Sequence, residues 1–541
     1  MTTSFRRWSG NIVRCLWAMV VTGGLTSSAW AWSAFERVPA TAAGNFGAPV
    51  PGVEAGDPLI LANEPQTQAG AWLEFDLRAV ETGRTPLARL SLQLERREVK
   101  RPGEAASVER GALHLFLQGG DHGERLAGSS HLKPGGTLAT YPVDITDAIN
   151  AVLALPKDKR LARIAVRLAG KPIPYEVYAL VEARPVLEVA SAERWEDDWE
   201  QRLEPLISGK RVYREACLAL ANTRETETVL PLLFPASRVE EVIALGTGVK
   251  LKEGRDWILL SGTLILPPGS EAPVQLRSEF FLTTRKDKSG AVSEVRSAIK
   301  LQEGGWYHER QIEVTYVPAE RSPVWPPPRS RLQDLPRTER LLKEKRPLNV
   351  ILFGDSISAG YNASKIDGVW PYQPAYGELV IRKLRAVYGA PITFMNHARG
   401  GGTSAHATTQ ADAQVAWFKP DLVLLAYGMN DRSDERRVHH RANLEKIIDI
   451  VRARSPETEF VVITPMVNNP LQPTGLDPIR FIRKAALQVD RPGIAFVDIT
   501  AAQLAMLERK PYLDFSGNGA NHPNDFLMRI YAQRILEVLC P

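Results

Sequence analysis

From residue 348 onward, short apolar runs alternate with stretches whose apolar residues recur every three or four positions. The runs are "LNVILF" (348–353), "ITFMN" (392–396), "DLVLLAY" (421–427), "EFVVITP" (459–465) and "IAFVDI" (494–499). Runs this short and this apolar suit strands buried on both faces. The intervening "YGELVIRKLRAVYG" and "RANLEKIIDIVRAR" each carry one apolar stripe at helical spacing. Strand and helix in repeated alternation predict a parallel sheet covered on both sides, a flavodoxin-like three-layer α/β/α domain over 348–541.

Upstream the period is two. "AWLEFDLRAV", "LARLSLQLER", "GALHLFLQGG" and "LARIAVRLAG" alternate or run apolar between Gly, Pro and charged turns. "YPVDITDAINAVL" interrupts them with a helical piece. An all-β sandwich over 32–190 is the expected assembly, and its strand rhythm resembles the jelly-roll modules attached to secreted carbohydrate-active enzymes. A charged, helix-prone start and a second β-rich stretch, with "RDWILLSGTLILPPGS" and "RQIEVTYVP" as its clearest strands, predict an accessory domain over 191–317. Six prolines between 318 and 336, followed by a charged segment, give 318–347 the composition of a linker or a surface wrap.

The first 31 residues differ from all of this. Arg6, Arg7 and Arg14 accompany an apolar "CLWAMVVTGGL" and a small-residue "AWA", with no Asp or Glu. This is the pattern of an export signal, cleaved after Ala31. The rival reading is a membrane anchor, for which the apolar stretch is too short. Export to a secreted or periplasmic location is expected, and the mature chain is expected to be soluble. Its net charge of +5 falls to about +2 without those arginines. Nothing in that balance calls for a nucleic-acid or membrane-surface partner. The mature chain keeps Cys217 and Cys540. Two cysteines make no disulfide framework, so they pair once or stay as isolated thiols.

In an open parallel sheet, ligands bind beyond the carboxyl ends of the strands. The strand ends here lead into "GDS" (354–356), "NHARGGGTS" (396–404) and "GMND" (428–431), and "GNGANHPND" (517–525) stands near the chain end. All four are polar, tight and rich in glycine or asparagine, and all would share one rim. Turn chemistry alone explains each of them singly. Four in this order on these strands resemble the SGNH, or GDSL-type, serine hydrolases, with "GDSISAGYNAS" and "NHPNDF" similar to a carbohydrate-esterase-like branch. The nucleophile-elbow pattern of α/β-hydrolases is absent, because Ser358 stands where its second glycine would be.

The resemblance implies roles residue by residue. Ser356 is the nucleophile, and its backbone amide helps hold an oxyanion. Gly401 supplies the second oxyanion N–H, with Gly400 or Gly402 as alternatives, and the Asn430 side chain supplies the third donor. His522 is the base. Each has a bland rival: Ser356 as a turn residue, and Asn430 or Asp431 as a helix cap. Among the other histidines, His397 and His406 would shape the site, while His439 and His440 lie in a charged, solvated segment. Asp355 reads as a structural hydrogen-bonding residue. Trp257, Trp306 and Trp325 would stack sugars or, more commonly for tryptophan, fill core.

One position departs from the family. An aspartate usually stands three residues before the histidine, and here that residue is Gly519. Asp514 would fold back to orient the ring and complete a triad. Alternatively Asn518 or a backbone carbonyl would orient it in a Ser-His dyad. Asp525 is better explained as a charge at a helix N-terminus. The resemblance thus implies an exported serine esterase acting on acyl, chiefly acetyl, esters of carbohydrate, through an acyl-enzyme and with no cofactor or metal. A lipid or thioester hydrolase would share every block. A carbohydrate-binding or assembly protein with an inactive hydrolase domain is the alternative outside enzymes.

Overall fold

The computed structural model describes residues 34–40, 42–47, 60–64, 67–80, 85, 88–98, 112–118, 124–131, 138–169, 176–180, 185–191, 198–286, 292–472 and 475–540. The export signal expected over 1–31 lies outside them. Among the described residues no helix is long and apolar enough to cross a membrane.

The C-terminal sheet has five parallel strands: β1 (Leu348–Gly354), β2 (Ile392–Asn396), β3 (Leu422–Ala426), β4 (Glu459–Ile463) and β5 (Ile494–Val497). Their order is β2-β1-β3-β4-β5, the flavodoxin-like order whose crossovers reverse at β1. β3 and β4 are buried along their whole lengths, which is why their sequences read as unbroken apolar runs. The helices are α1 (Tyr376–Tyr388), α2 (Ser404–Gln414), α3 (His440–Arg454), α4 (Asp477–Ala486), α5 (Ile499–Leu507) and α6 (Asp525–Leu539). Alternation along the strands sorts them into two layers. Ile351, Phe353, Val423, Leu425 and Val462 pack with Ala411 of α2, Ile447 and Val451 of α3, and Ala486 of α4. Val350, Leu352, Leu424 and Val461 face Leu379 and Val380 of α1, Met506 of α5, and Ile530 and Ile535 of α6.

That second layer does not end at the family-like domain. The same hydrophobic cluster continues into Val212, Cys217, Leu264, Phe280, Tyr307, Ile312, Val314 and Tyr316. These lie in the β-rich region before it, whose main sheet runs Val212–Cys217, Ile312–Pro318, Ala236–Ala244 and Val249–Lys250, all antiparallel. The expected linker is packed as well. Val324, Trp325, Leu332, Leu335, Leu341 and Leu342 are buried in that cluster. Helix Pro336–Lys343 is pinned by its N-terminus: the Arg337 and Thr338 amides donate to the Glu459 carboxylate at 2.8 and 2.7 Å, and the Arg337 guanidinium donates to Asp421 at 2.6 Å. Proline here stiffens a strap that the core holds down.

Between 34 and 191 the described strands form one antiparallel network with a core of its own, including Leu73, Phe75, Leu90, Leu92, Ile149 and Ile164. Thr67–Asp76 and Ala88–Glu98 each pair with three other strands, which joins the described strands into that one network. Helix Thr146–Leu153 lies where the helical piece was expected and buries Ile149 and Val152 in that core. The two cysteines are free, Cys217 buried and Cys540 half-buried. Trp257 and Trp325 are buried. Trp306 is half-buried between Arg310 and Lys300, each about 4 Å from the ring centroid (4.1 and 4.2 Å).

Because residues 198–319 share one hydrophobic cluster with α1 and α6, a fragment beginning at 320 loses part of that core. Such a fragment is expected to be insoluble, or to lose near-ultraviolet dichroism and cooperative unfolding. A soluble fragment that unfolds cooperatively and labels at Ser356 like the full chain would show that the two regions fold independently.

Candidate active site

β1 ends at Gly354 against β3. A Cβ there would lie 2.3 Å from the Ser358 hydroxyl and 2.7 Å from the Ala426 carbonyl, so only glycine lets the turn form so close to its neighbour. Asp355 comes next, buried, its carboxylate accepting the Ile357 amide at 3.1 Å. Burial pushes this carboxyl up to about 7. It tightens the turn that presents Ser356 and lies within the turn, as expected of a structural residue. Ser356 is itself 4% exposed, and its hydroxyl lies 3.0 Å from Nε2 of His522. The two residues are 166 positions apart in the chain.

The glycine block and the block after β3 are sewn together. The Asn430 amide nitrogen donates to the Gly402 carbonyl at 3.0 Å. Asp431, fully buried, accepts the Ser404 amide at the start of α2 and approaches His440 Nδ1 at 3.2 Å. His440 is therefore not solvated, against expectation; its chain neighbour His439 is exposed. Among the three glycines, the Gly402 amide is committed to the Arg399 carbonyl at 3.0 Å. Gly401 has φ +69° and open space at its Cβ position, so its requirement for glycine is conformational. At Gly400 a Cβ would meet the Tyr361 hydroxyl at 2.6 Å. His397 is buried against the Gln414 carbonyl at 2.6 Å, with His114 of the first β region 3.3 Å from its other nitrogen. His406 is held by Arg399. Both brace the loop, as expected.

His522 sits in a loop shaped by Asn518, whose side-chain oxygen accepts the amides of Ala520, Asn521 and His522 at 2.9, 3.0 and 3.0 Å. The expectation that Asp514 orients the ring does not hold. Asp514 is buried on the other side of this segment, accepting the Leu218 amide at 2.8 Å and lying 3.4 Å from Lys510 Nζ. Burial raises its carboxyl to about 6. It fastens the C-terminal domain to the preceding β region. Asp525 is likewise elsewhere, accepting the Ser364 amide and hydroxyl at 2.9 and 2.6 Å.

Two residues that sequence reasoning passed over meet Nδ1 of His522: Asn362 through its side-chain oxygen at 2.8 Å, and Glu303 through a carboxylate oxygen at 3.2 Å. The Asn362 amide is oriented by its own nitrogen, which donates to the Gly304 carbonyl at 3.2 Å. With two acceptors at Nδ1 the proton belongs there, and Nε2 is left free to accept from Ser356. Asn362 stands at φ +63° in the stretch after the nucleophile, a conformation asparagine tolerates; that is the one trace it leaves in the sequence. Glu303 leaves none, being one of many surface acids 219 positions from the histidine.

Residues 352–530 match the family described as GDSL-like Lipase/Acylhydrolase, and the C-terminal domain belongs to that family. The protein is a carboxylic ester hydrolase. No curated protein matches the chain. Three solved structures illustrate those it is similar to. An acetylxylan esterase from Geobacillus stearothermophilus is 20% identical, over 36% of this chain and 94% of that one, at a TM-score of 0.30. A lipase/acylhydrolase from Enterococcus faecalis is 25% identical, over 35% and 95%, at 0.29. A two-domain esterase active on acetylated mannans is 19% identical, over 39% and 53%, at 0.32.

Ser356→Ala is expected to lower kcat by about 10⁴ to 10⁶ with the fold intact, and to abolish labelling by a fluorophosphonate. Asp514→Asn keeps an oxygen for the Leu218 amide and lies away from the ring. Its kcat is expected to stay within about tenfold of wild type, whereas loss of an orienting aspartate costs about 10⁴; steady-state kinetics on the purified variants distinguish the two.

Proposed function

We propose that the protein is an exported serine esterase that removes acetyl groups from carbohydrate. The observation that carries the reading is the Ser356 hydroxyl 3.0 Å from His522 Nε2 at the carboxyl edge of a parallel sheet, inside a segment matched to an acylhydrolase family. As Ser356 Oγ bonds to the ester carbonyl carbon, its proton passes to Nε2, and the ring returns it to the departing sugar oxygen. The carbonyl oxygen, now negative, is held by the Ser356 amide, a glycine amide from 400–401 and the Asn430 side chain. Water, deprotonated by the same ring, then releases acetate.

The side chains beside the site favour a hydroxyl-rich leaving group over an acyl chain. Tyr361 is 45% exposed and stands edge-on to the His522 ring, with centroids 5.6 Å apart. Glu303 at the histidine and Asn430 at the glycine block add further polar groups. Export is supported by the arginine-led apolar start of the chain.

Activity against p-nitrophenyl esters of rising chain length and a panel of acetylated glycans, read as released acid, tests this. Acetate is expected to be cleaved at least about tenfold faster, by kcat/KM, than octanoate, and at least one acetylated glycan is expected to release acid. Preference for long chains would favour the lipid or thioester reading. Asn430→Ala is expected to cost about 10² to 10³ in kcat with little change in KM, the effect of losing one oxyanion donor; a rise in KM alone would assign Asn430 to substrate binding.

A further inference from the structure

Three observations converge on the residue that stands where the family's aspartate is missing. Gly519 has φ +81°, and a Cβ at that point would lie 2.2 Å from the Tyr307 hydroxyl and 2.5 Å from the Lys300 carbonyl. Segment 300–307 of the preceding β region therefore fills the space a side chain at 519 would need. The contact continues on either side. The Gln302 amide donates to the Asn518 carbonyl at 3.2 Å, and the Asn362 amide nitrogen donates to the Gly304 carbonyl. Between these two anchors the same segment carries Glu303. One carboxylate oxygen lies 3.2 Å from His522 Nδ1, and the other accepts the Asn518 side-chain nitrogen at 3.0 Å.

We propose that Glu303 is the positioning carboxylate of His522, supplied by the β-rich region before the family domain, which by itself lacks that residue. The proposal rests on reading Ser356 and His522 as nucleophile and base. When Nε2 takes the serine proton the imidazole becomes a cation, and Glu303 stays ionised beside it. No proton passes to the carboxylate. Asn362 fixes the tautomer through a neutral acceptor, while Glu303 adds the charge that steadies the cation. The hydrogen bonds from His522 and then Asn518 hold the Glu303 carboxyl below its ordinary range, which keeps it charged.

The other ionisable groups near the ring are accounted for. Asp367 lies 3.4 Å from the Asn362 amide nitrogen. Asp525 is taken up by Ser364 and lies 3.6 Å from His308. Tyr361 presents its ring edge-on. The Glu303 side chain is 56% exposed, so solvent screens its charge, and its removal is expected to cost less than the loss of a buried triad aspartate.

The test uses the full chain with Glu303→Gln, Glu303→Asp and the double variant Glu303→Gln/Gly519→Asp. The rate of fluorophosphonate labelling of Ser356 reads nucleophile activation without any choice of ester. It is expected to fall about 10- to 100-fold in Glu303→Gln, below the effect of a buried triad aspartate, and to recover in part in Glu303→Asp. The double variant is expected to show no rescue, because the space at 519 is filled. In proton NMR the downfield Nδ1 resonance of His522 is expected to move upfield in Glu303→Gln and back in Glu303→Asp, with thermal unfolding unchanged. A merely structural role would not produce that pattern. Labelling within about twofold of wild type and an unmoved resonance would overturn the proposal while leaving the esterase reading intact. A wild-type chain that labels and responds to Glu303→Gln, but cleaves no ester in the panel, would do the reverse.

Discussion

The proton on Nδ1 of His522 is the point on which the site's order depends. Nε2 can accept from Ser356 only if the proton stays on the other nitrogen, and an imidazole in a loop has no preference strong enough to keep it there alone. Asn362 and Glu303 both accept at that nitrogen. Asn362 comes from the stretch after the nucleophile, and Glu303 from a segment outside the α/β domain. The hydrogen bond between Ser356 and His522 is thus set by groups gathered from three distant parts of the chain.

The same contact explains why the β-rich region is not an appendage. It shares a hydrophobic cluster with α1 and α6. It also makes polar ties that are costly to break when buried. Lys510 reaches the Glu215 carboxylate and the Ala216 carbonyl, and Asp514 takes the Leu218 amide. Segment 300–307 adds its own bonds to the histidine loop and its neighbour: the Gln302 amide donates to the Asn518 carbonyl and the Asn362 side-chain nitrogen to the Gly304 carbonyl. Stability of the interface and geometry of the active site are consequently one property, and a mutation that loosens the first should reach the second through Glu303. The first β network, with a hydrophobic cluster of its own, touches the glycine block through His114 and His397.

Local chemistry explains most of the remaining order. Gly354 is glycine because neighbouring atoms leave no room, and Gly401 because of its backbone conformation. Asp355 and Asp431 are buried carboxylates spent on backbone amides, holding the turns that carry Ser356 and Asn430.

The sequence alone determined the parallel sheet, its five strands and the rim on which Ser356, Gly401, Asn430 and His522 lie. These come from short-range rules: apolar runs with helical intervals, and polar, glycine-rich turns at strand ends. Position 519 marked where the pattern broke, but the repair was not legible. Asp514 was the acid that sequence reasoning chose, and Glu303 is the near acid in space. Nothing local separates Glu303 from other surface acids, since its role arises only when segment 300–307 docks on the loop. The strap at 318–347 was hidden for a related reason. Prolines and charges signal irregular backbone, whereas whether that backbone is free or packed depends on the apolar surface it meets. Burial and long-range contact are decided by the whole fold, and for that reason the tertiary structure alone identified the partners of His522.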